Sequence, residues 1–125
     1  MKHWFVDDWK IDNRTGYIDC LGSLFPYITI HKLTPQLILF DLVSCKSVSD
    51  FERNHSRYQK ANTDYPMIVS PMPNPHNRLY RLIDGKHRLD KLQKSGHKQG
   101  FFYIIPADVV LNFVTWLNYD QPINK

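Results

Sequence analysis

At 125 residues the chain has room for one domain with a real core, and not for two. Its composition, 42% hydrophobic and 22% charged, is that of an ordinary soluble globular protein. No apolar run approaches the roughly 20 residues that a bilayer span needs, so no membrane partner is expected. Met1-Lys2-His3-Trp4-Phe5-Val6-Asp7-Asp8 meets charge too early for a signal-peptide core, and the cytoplasm is the expected compartment. The formal charge of +4 is modest, and its meaning depends on where it sits.

In chain order, residues 1–23 are rich in aromatics and carry the turn signal Asn13-Arg14-Thr15-Gly16, so residues 4–11 and 17–21 are expected to pair as an N-terminal hairpin. Tyr27-Ile28-Thr29-Ile30-His31 alternates and is β-branched, which predicts a strand. The continuous apolar run Leu37-Ile38-Leu39-Phe40-Asp41-Leu42-Val43 fits either a buried strand or a short core helix. Ser47 or Ser49 can cap a helix reaching Lys60, with Asp50 and Glu52 in its first turn. On that helix Arg53, Arg57 and Lys60 share a face.

Tyr65-Pro66-Met67-Ile68-Val69-Ser70 predicts a strand that starts after a proline, and Pro71-Met72-Pro73-Asn74-Pro75-His76-Asn77 a surface loop. Residues 78–84 return as a strand, Gly85 permits a sharp turn, and residues 86–95 make a short helix with Gly96 as its stop. Phe101-Phe102-Tyr103-Ile104-Ile105 predicts a central strand. A C-terminal helix over about 107–118 follows, with Pro106 at its start, Asp108 in its first turn and Val110, Phe113, Val114 and Leu117 as its apolar stripe.

Cys20 and Cys45 make no disulfide framework, and the six histidines show no zinc-type spacing. The charge is more telling. Seven Lys/Arg lie between Arg78 and Lys98 against two Asp, a local +5, whereas the rest of the chain nets −1. Two of those cations, Lys86 and Arg88, open the helix after Gly85, with His87 between them. A first helical turn has free N–H groups and a positive dipole end, so it favours anions. A phosphate there would satisfy the N–H groups and neutralise the side chains together. A merely solvated basic helix face, helped by Lys86–Asp90 and Asp90–Lys94 spacings, explains part of the pattern and leaves most of the excess charge unbalanced.

The order of these elements, with Asp84-Gly85-Lys86-His87-Arg88-Leu89 and more loosely Pro66-Met67-Ile68-Val69, resembles the ParB-like nuclease domain shared by ParB partition proteins and sulfiredoxins. The likeness covers about residues 25–110. It implies a stand-alone α+β domain, a small mixed β-sheet with flanking helices, whose glycine-turn-helix binds nucleotide phosphates (CTP in partition proteins, ATP in sulfiredoxin). A free-serine kinase branch uses the same element for phosphoryl transfer. Gly85, His87 and Arg88 match the sulfiredoxin-type motif, but Lys86 stands where that motif has its catalytic cysteine, which argues against sulfiredoxin activity. The Gly-Glu-Arg-Arg form of partition proteins is absent, and no helix-turn-helix or dimerisation domain is expected after the motif.

If a nucleoside triphosphate binds, Gly85, Lys86, His87 and Arg88 are the phosphate-binding candidates. Asp84 could hold Mg²⁺ through a water or act as a base, and equally could cap the helix; Glu52 and Asp50 are further candidate bases if their helix lies across the cleft. The expected function is nucleotide binding, with NTPase (hydrolase) or phosphotransfer activity as the enzymatic option. The alternative is a DNA-binding module or nuclease, with Arg53, Arg57, Lys60, Lys91 and Lys94 as the nucleic-acid contacts and a pI of about 9.1 in its favour. No carboxylate cluster of a metal nuclease is visible. Base identity, acceptor and oligomeric state are left open by the sequence.

Overall fold

Met67–Ser70 is buried along its whole length, as a strand covered on both faces must be, and it forms the middle of a five-stranded sheet. The computed structural model describes residues 16–116 together with the backbone of residues 3–5. The strands are β1 (His3–Phe5), β2 (Gly16–Asp19), β3 (Gln36–Leu39), β4 (Val43–Ser44), β5 (Met67–Ser70), β6 (Tyr80–Asp84), β7 (Gln99–Ile104) and β8 (Thr115–Trp116). The helices are α1 (Leu24–Ile30), α2 (Asp50–Arg53), α3 (Ser56–Gln59), α4 (Lys86–Lys94) and α5 (Ala107–Phe113).

The main sheet has the order β3-β7-β5-β6-β4. β3/β7 and β5/β6 are antiparallel, whereas β7/β5 and β6/β4 are parallel, so the sheet is mixed and the fold is α+β. A smaller antiparallel sheet, β1-β2-β8, lies apart; its β1/β2 pair, with Trp4 opposite Ile18, is the hairpin pairing read from the sequence. The turn at residues 13–15 and position Leu117 lie outside the described residues.

Successive side chains of a strand face opposite sides, and this divides the interior in two. Ile68 and Ile83 join Ile18, Leu24, Ile28, Ile105 and Val110 on the α1/α5 side. Met67, Val69 and Leu82 join Phe40, Phe102 and Leu89 of α4 on the other. The two sides of the sheet are therefore covered by different helices, α1 and α5 on one and α4 on the other, where Phe40 joins it.

Three local readings change. Residues 24–30 are a helix, not a strand: Leu24 and Ile28, four apart, are its buried pair, and Pro26 sits in the first turn, where its missing N–H is harmless. Burial at helical spacing outweighs the β preference of Ile28, Thr29 and Ile30. The expected helix to Lys60 is two single turns, broken where Asn54 ends α2 and the His55 ring accepts from the Arg57 N–H to start α3. The apolar run 37–43 is split by a 3₁₀ turn at Phe40–Leu42, so that it supplies two strands. In addition, β7 is internal but β5 is the central strand, Pro106 lies one position before the first residue of α5, and α5 stops at Phe113.

Gly85 joins β6 to α4 with φ +114°, and a Cβ there would lie 2.5 Å from Met67 Cγ. Gly96, which follows α4, also has positive φ (+91°) but open space around it. Gly85→Ala is therefore expected to lose roughly 2–4 kcal/mol, the left-handed cost plus overpacking, and Gly96→Ala only about 1–2 kcal/mol. Urea midpoints of the two variants measure the difference, and equal losses would show that the Met67 contact carries no cost.

Candidate functional site

The basic start of α4 already has an anion beside it. Glu52 Oε2 lies 2.7 Å from Lys86 Nζ and 3.3 Å from His87 Nε2. The other oxygen, Oε1, accepts from the Ser49 N–H at 3.2 Å, while Ser49 Oγ accepts from the Glu52 N–H at 3.1 Å. That is a capping box, and it selects Ser49 over Ser47 as the cap of α2. The hydrogen bond from Lys86, followed by those from Ser49 and His87, holds the Glu52 carboxyl down to about 2 against the opposing effect of desolvation. A carboxylate so stabilised is a weak base at neutral pH.

A second cluster ties α2 and α3 to the flank of α4. Arg53 donates two bonds to Asp90, Nε to Oδ2 and Nη2 to Oδ1, each 3.1 Å, and a third to Asp50 at 2.9 Å. Tyr58 Oη donates to Asp90 Oδ2 at 2.7 Å, and Lys91 Nζ donates to the carbonyls of Gln59 and Ala61. The Arg53 bonds hold Asp90 below the usual carboxylate range, while burial and the Asp90 hydrogen bond push Tyr58 up.

The expected phosphate-binding quartet is therefore spread around the helix. Lys86 and His87 both reach Glu52, with the His87 ring edge-on to Tyr58 at 5.4 Å. Arg88 turns the other way, its Nη1 3.6 Å from Asp84 Oδ2 and its guanidinium 5.8 Å from the centre of the Tyr65 ring. The Asp84 side chain is 3% exposed and faces Arg88, so it presents little open oxygen to an ion or a substrate. Among the described residues, no group of three or more His, Cys, Asp and Glu is placed to hold a metal ion. The expected nucleic-acid stripe is also divided: Arg53 and Lys91 are committed to internal bonds, whereas Arg57, Lys60 and Lys94 are exposed.

What the sequence spacing does not reveal is a cleft of about 310 Å³ along α4. One wall is Lys86, Leu89, Asp90 and Gln93, a single helical stripe. The other comes from the segment after β4, with Cys45 and Lys46, and from the flanks of the proline-rich loop, with His76 and Arg78. Arg78 Nη1 donates to the Asp41 carbonyl at 2.8 Å, a neutral acceptor, so its charge stays available to the cleft. A recess of about 60 Å³, lined by Ser44, His76, Arg81 and again Lys86, adjoins it. Of the quartet 85–88, only Lys86 faces this space. Lys46, His76 and Arg78 are the residues that sequence reasoning missed as a group. The charge count included Arg78, but nothing local joins positions 46, 76 and 78.

Comparison with known proteins adds no relative: no family model matches the chain, and no match is found among curated proteins or solved structures.

The lowered Glu52 and Asp90 carboxyls fix a pH dependence. Both bind protons less readily when folded than when unfolded: the Glu52 contribution is fully present above about 4.5, its ordinary value, and is lost as pH falls toward about 2, and that of Asp90 is likewise lost as pH falls below the usual carboxylate range. Urea unfolding at stepped pH should show stability falling through that window, with a shallower fall in Glu52→Gln. An unchanged slope in the variant would mean that Lys86 and His87 do not hold this carboxylate in solution.

Proposed function

We infer that this chain is a ParB/sulfiredoxin-like domain that binds the phosphates of a nucleoside triphosphate, with NTPase or phosphotransfer chemistry as the activity it would support. The observation that carries this reading is the cleft beside α4, where Lys86 and Arg78 face one space together with Lys46. Its volume is at the lower end of the range for small-molecule sites, about 300–1,000 Å³. The left-handed Gly85 between a buried strand and a helix sets where α4 begins, and so places Lys86 at the cleft.

In this reading Lys86 is the hinge of the site. Lys86 can give up part of its contact with Glu52 to a phosphate arriving from the cleft, and Arg78 adds a second cation whose guanidinium suits a bidentate grip. ATP and CTP are the nucleotides that the resemblance implies. Magnesium would arrive on their phosphates and neutralise charge between them.

A thermal-shift panel of ATP, ADP, CTP and GTP, each with and without Mg²⁺, tests the proposal. A nucleotide that binds should stabilise the fold by about 2.7 kcal/mol when present at about a hundredfold above its Kd. Lys86→Ala and Arg78→Ala should each remove most of the shift, and Arg88→Ala, altered on the Asp84 side, should keep it. If only Arg88→Ala abolishes the shift, the phosphates sit elsewhere on the helix start. If no nucleotide shifts the wild type, the reading is wrong.

A further inference from the structure

The recess beside the cleft contains a hydrogen-bonded serine and histidine. Ser44 Oγ lies 2.6 Å from His76 Nδ1, although the two residues are 32 apart in the chain. Ser44 ends the two-residue strand β4 and is 4% exposed, held in register opposite Arg81 of β6. His76 comes from the exposed proline-rich loop, which is pinned on both sides of it. The Asn74 amide donates to the carbonyls of Met72 and Arg78, its oxygen accepts from the Arg78 N–H, and Arg81 Nη1 donates to the Pro73 carbonyl.

With its proton on Nε2, the His76 ring accepts the Ser44 hydroxyl proton at Nδ1, the pairing that activates a serine nucleophile. The cations of the same recess, Lys46, Arg81 and Lys86, decide the substrate class. They suit a group that carries negative charge on several oxygens, a phosphoryl group rather than a neutral acyl ester.

We propose that Ser44 is a nucleophile that accepts the terminal phosphoryl group of a phosphoanhydride or phosphate ester bound in the cleft, with His76 as its general base. The proposal rests on the phosphate-binding reading above and supplies the acceptor that reading lacks. As the bond from Ser44 Oγ to phosphorus forms, the hydroxyl proton passes to His76 Nδ1. The bond from phosphorus to the leaving oxygen breaks, and its electron pair departs with the nucleoside diphosphate. Lys46, Arg81 and Lys86 face the non-bridging oxygens. Phosphoserine 44 is the product, and the imidazolium returns its proton to solvent. A buried serine that merely needs a hydrogen-bond partner would show the same 2.6 Å contact but would acquire no phosphate.

The full chain is incubated with p-nitrophenyl phosphate and, separately, with ATP or CTP and Mg²⁺. It is then examined by intact-mass spectrometry and peptide mapping, with nucleotide thermal shifts recorded in parallel. The expected result is a gain of one phosphoryl group mapped to Ser44 and a burst of about one nitrophenolate per chain, both absent in Ser44→Ala. His76→Gln, whose amide can still hydrogen-bond the buried Ser44 hydroxyl but cannot take its proton, is expected to slow labelling by roughly 10²–10⁴-fold. Labelling of Ser44 by the nitrophenyl ester without any nucleotide shift would uphold the nucleophile and discard the nucleotide. A nucleotide shift with no label from either donor would overturn the nucleophile and leave the cleft reading standing. Labelling at another residue, or at the wild-type rate in His76→Gln, would also overturn it.

Discussion

A single carboxylate joins the two parts of the structure that could not stand alone. Glu52 closes the capping box of α2 with one oxygen and meets Lys86 and His87 at the start of α4 with the other. Each end of this contact supplies what the other lacks. α2 and α3 are single turns with no buried residue, far below the length at which a helix persists by itself. α4 begins with cations at the end of a helix where the dipole repels them. Placing the carboxylate between them stabilises the cap and offsets the repulsion together. The ion pairs are half-exposed and individually modest. Their strength as a set comes from the neighbouring cluster in which Asp90 takes two bonds from Arg53 and one from Tyr58.

This arrangement relocates the protein's positive charge. Counted along the chain, the excess belongs to residues 78–98 and centres on α4. In space, Lys86 is met by the Glu52 carboxylate and Arg88 by that of Asp84. Arg78, bonded to a neutral carbonyl, keeps its field, and it stands across the cleft from α4 with Lys46. The electrostatic feature that could attract an anion is thus the space beside the helix more than the helix start itself. Low-dielectric walls such as Leu89 and Val43 strengthen any charge placed there.

Much of the fold was legible because its signals are local. β5 and β6 follow from apolar runs bounded by Pro66 and Gly85, and α4 from Leu89, Leu92 and the Gly96 stop. The segment 24–30 was misread because β-branched residues advertise a strand, while the burial that decides the matter involves only Leu24 and Ile28. The break at Asn54-His55 was invisible for a different reason: neither short helix buries a residue, so there was no apolar period to follow. The site was legible only in its anchor, Lys86. Its opposite wall comes from positions 45–46 and 76–78, which the parallel pairing of β4 with β6 brings near α4. Contacts formed by topology leave no mark on local spacing.

That same pairing determines which nucleophile the recess can offer. β4 is one of the sheet's two edge strands and lasts only two residues, so after Ser44 the chain peels away from the sheet and opens the space along α4. Cys45 follows directly and lines the recess and the cleft as well. A thiol would ordinarily be the better nucleophile of the two, but only as the thiolate. Burial outweighs the attraction of Lys86 and pushes the Cys45 thiol up to about 11, so it stays protonated at neutral pH. Its Sγ instead donates to the Lys46 carbonyl at 3.2 Å. A hydroxyl has no such requirement to ionise in advance; it needs a base within reach at the moment of attack. Ser44 has that base in His76, and Cys45 faces desolvation without one, so chemistry at this edge of the sheet falls to oxygen rather than sulfur.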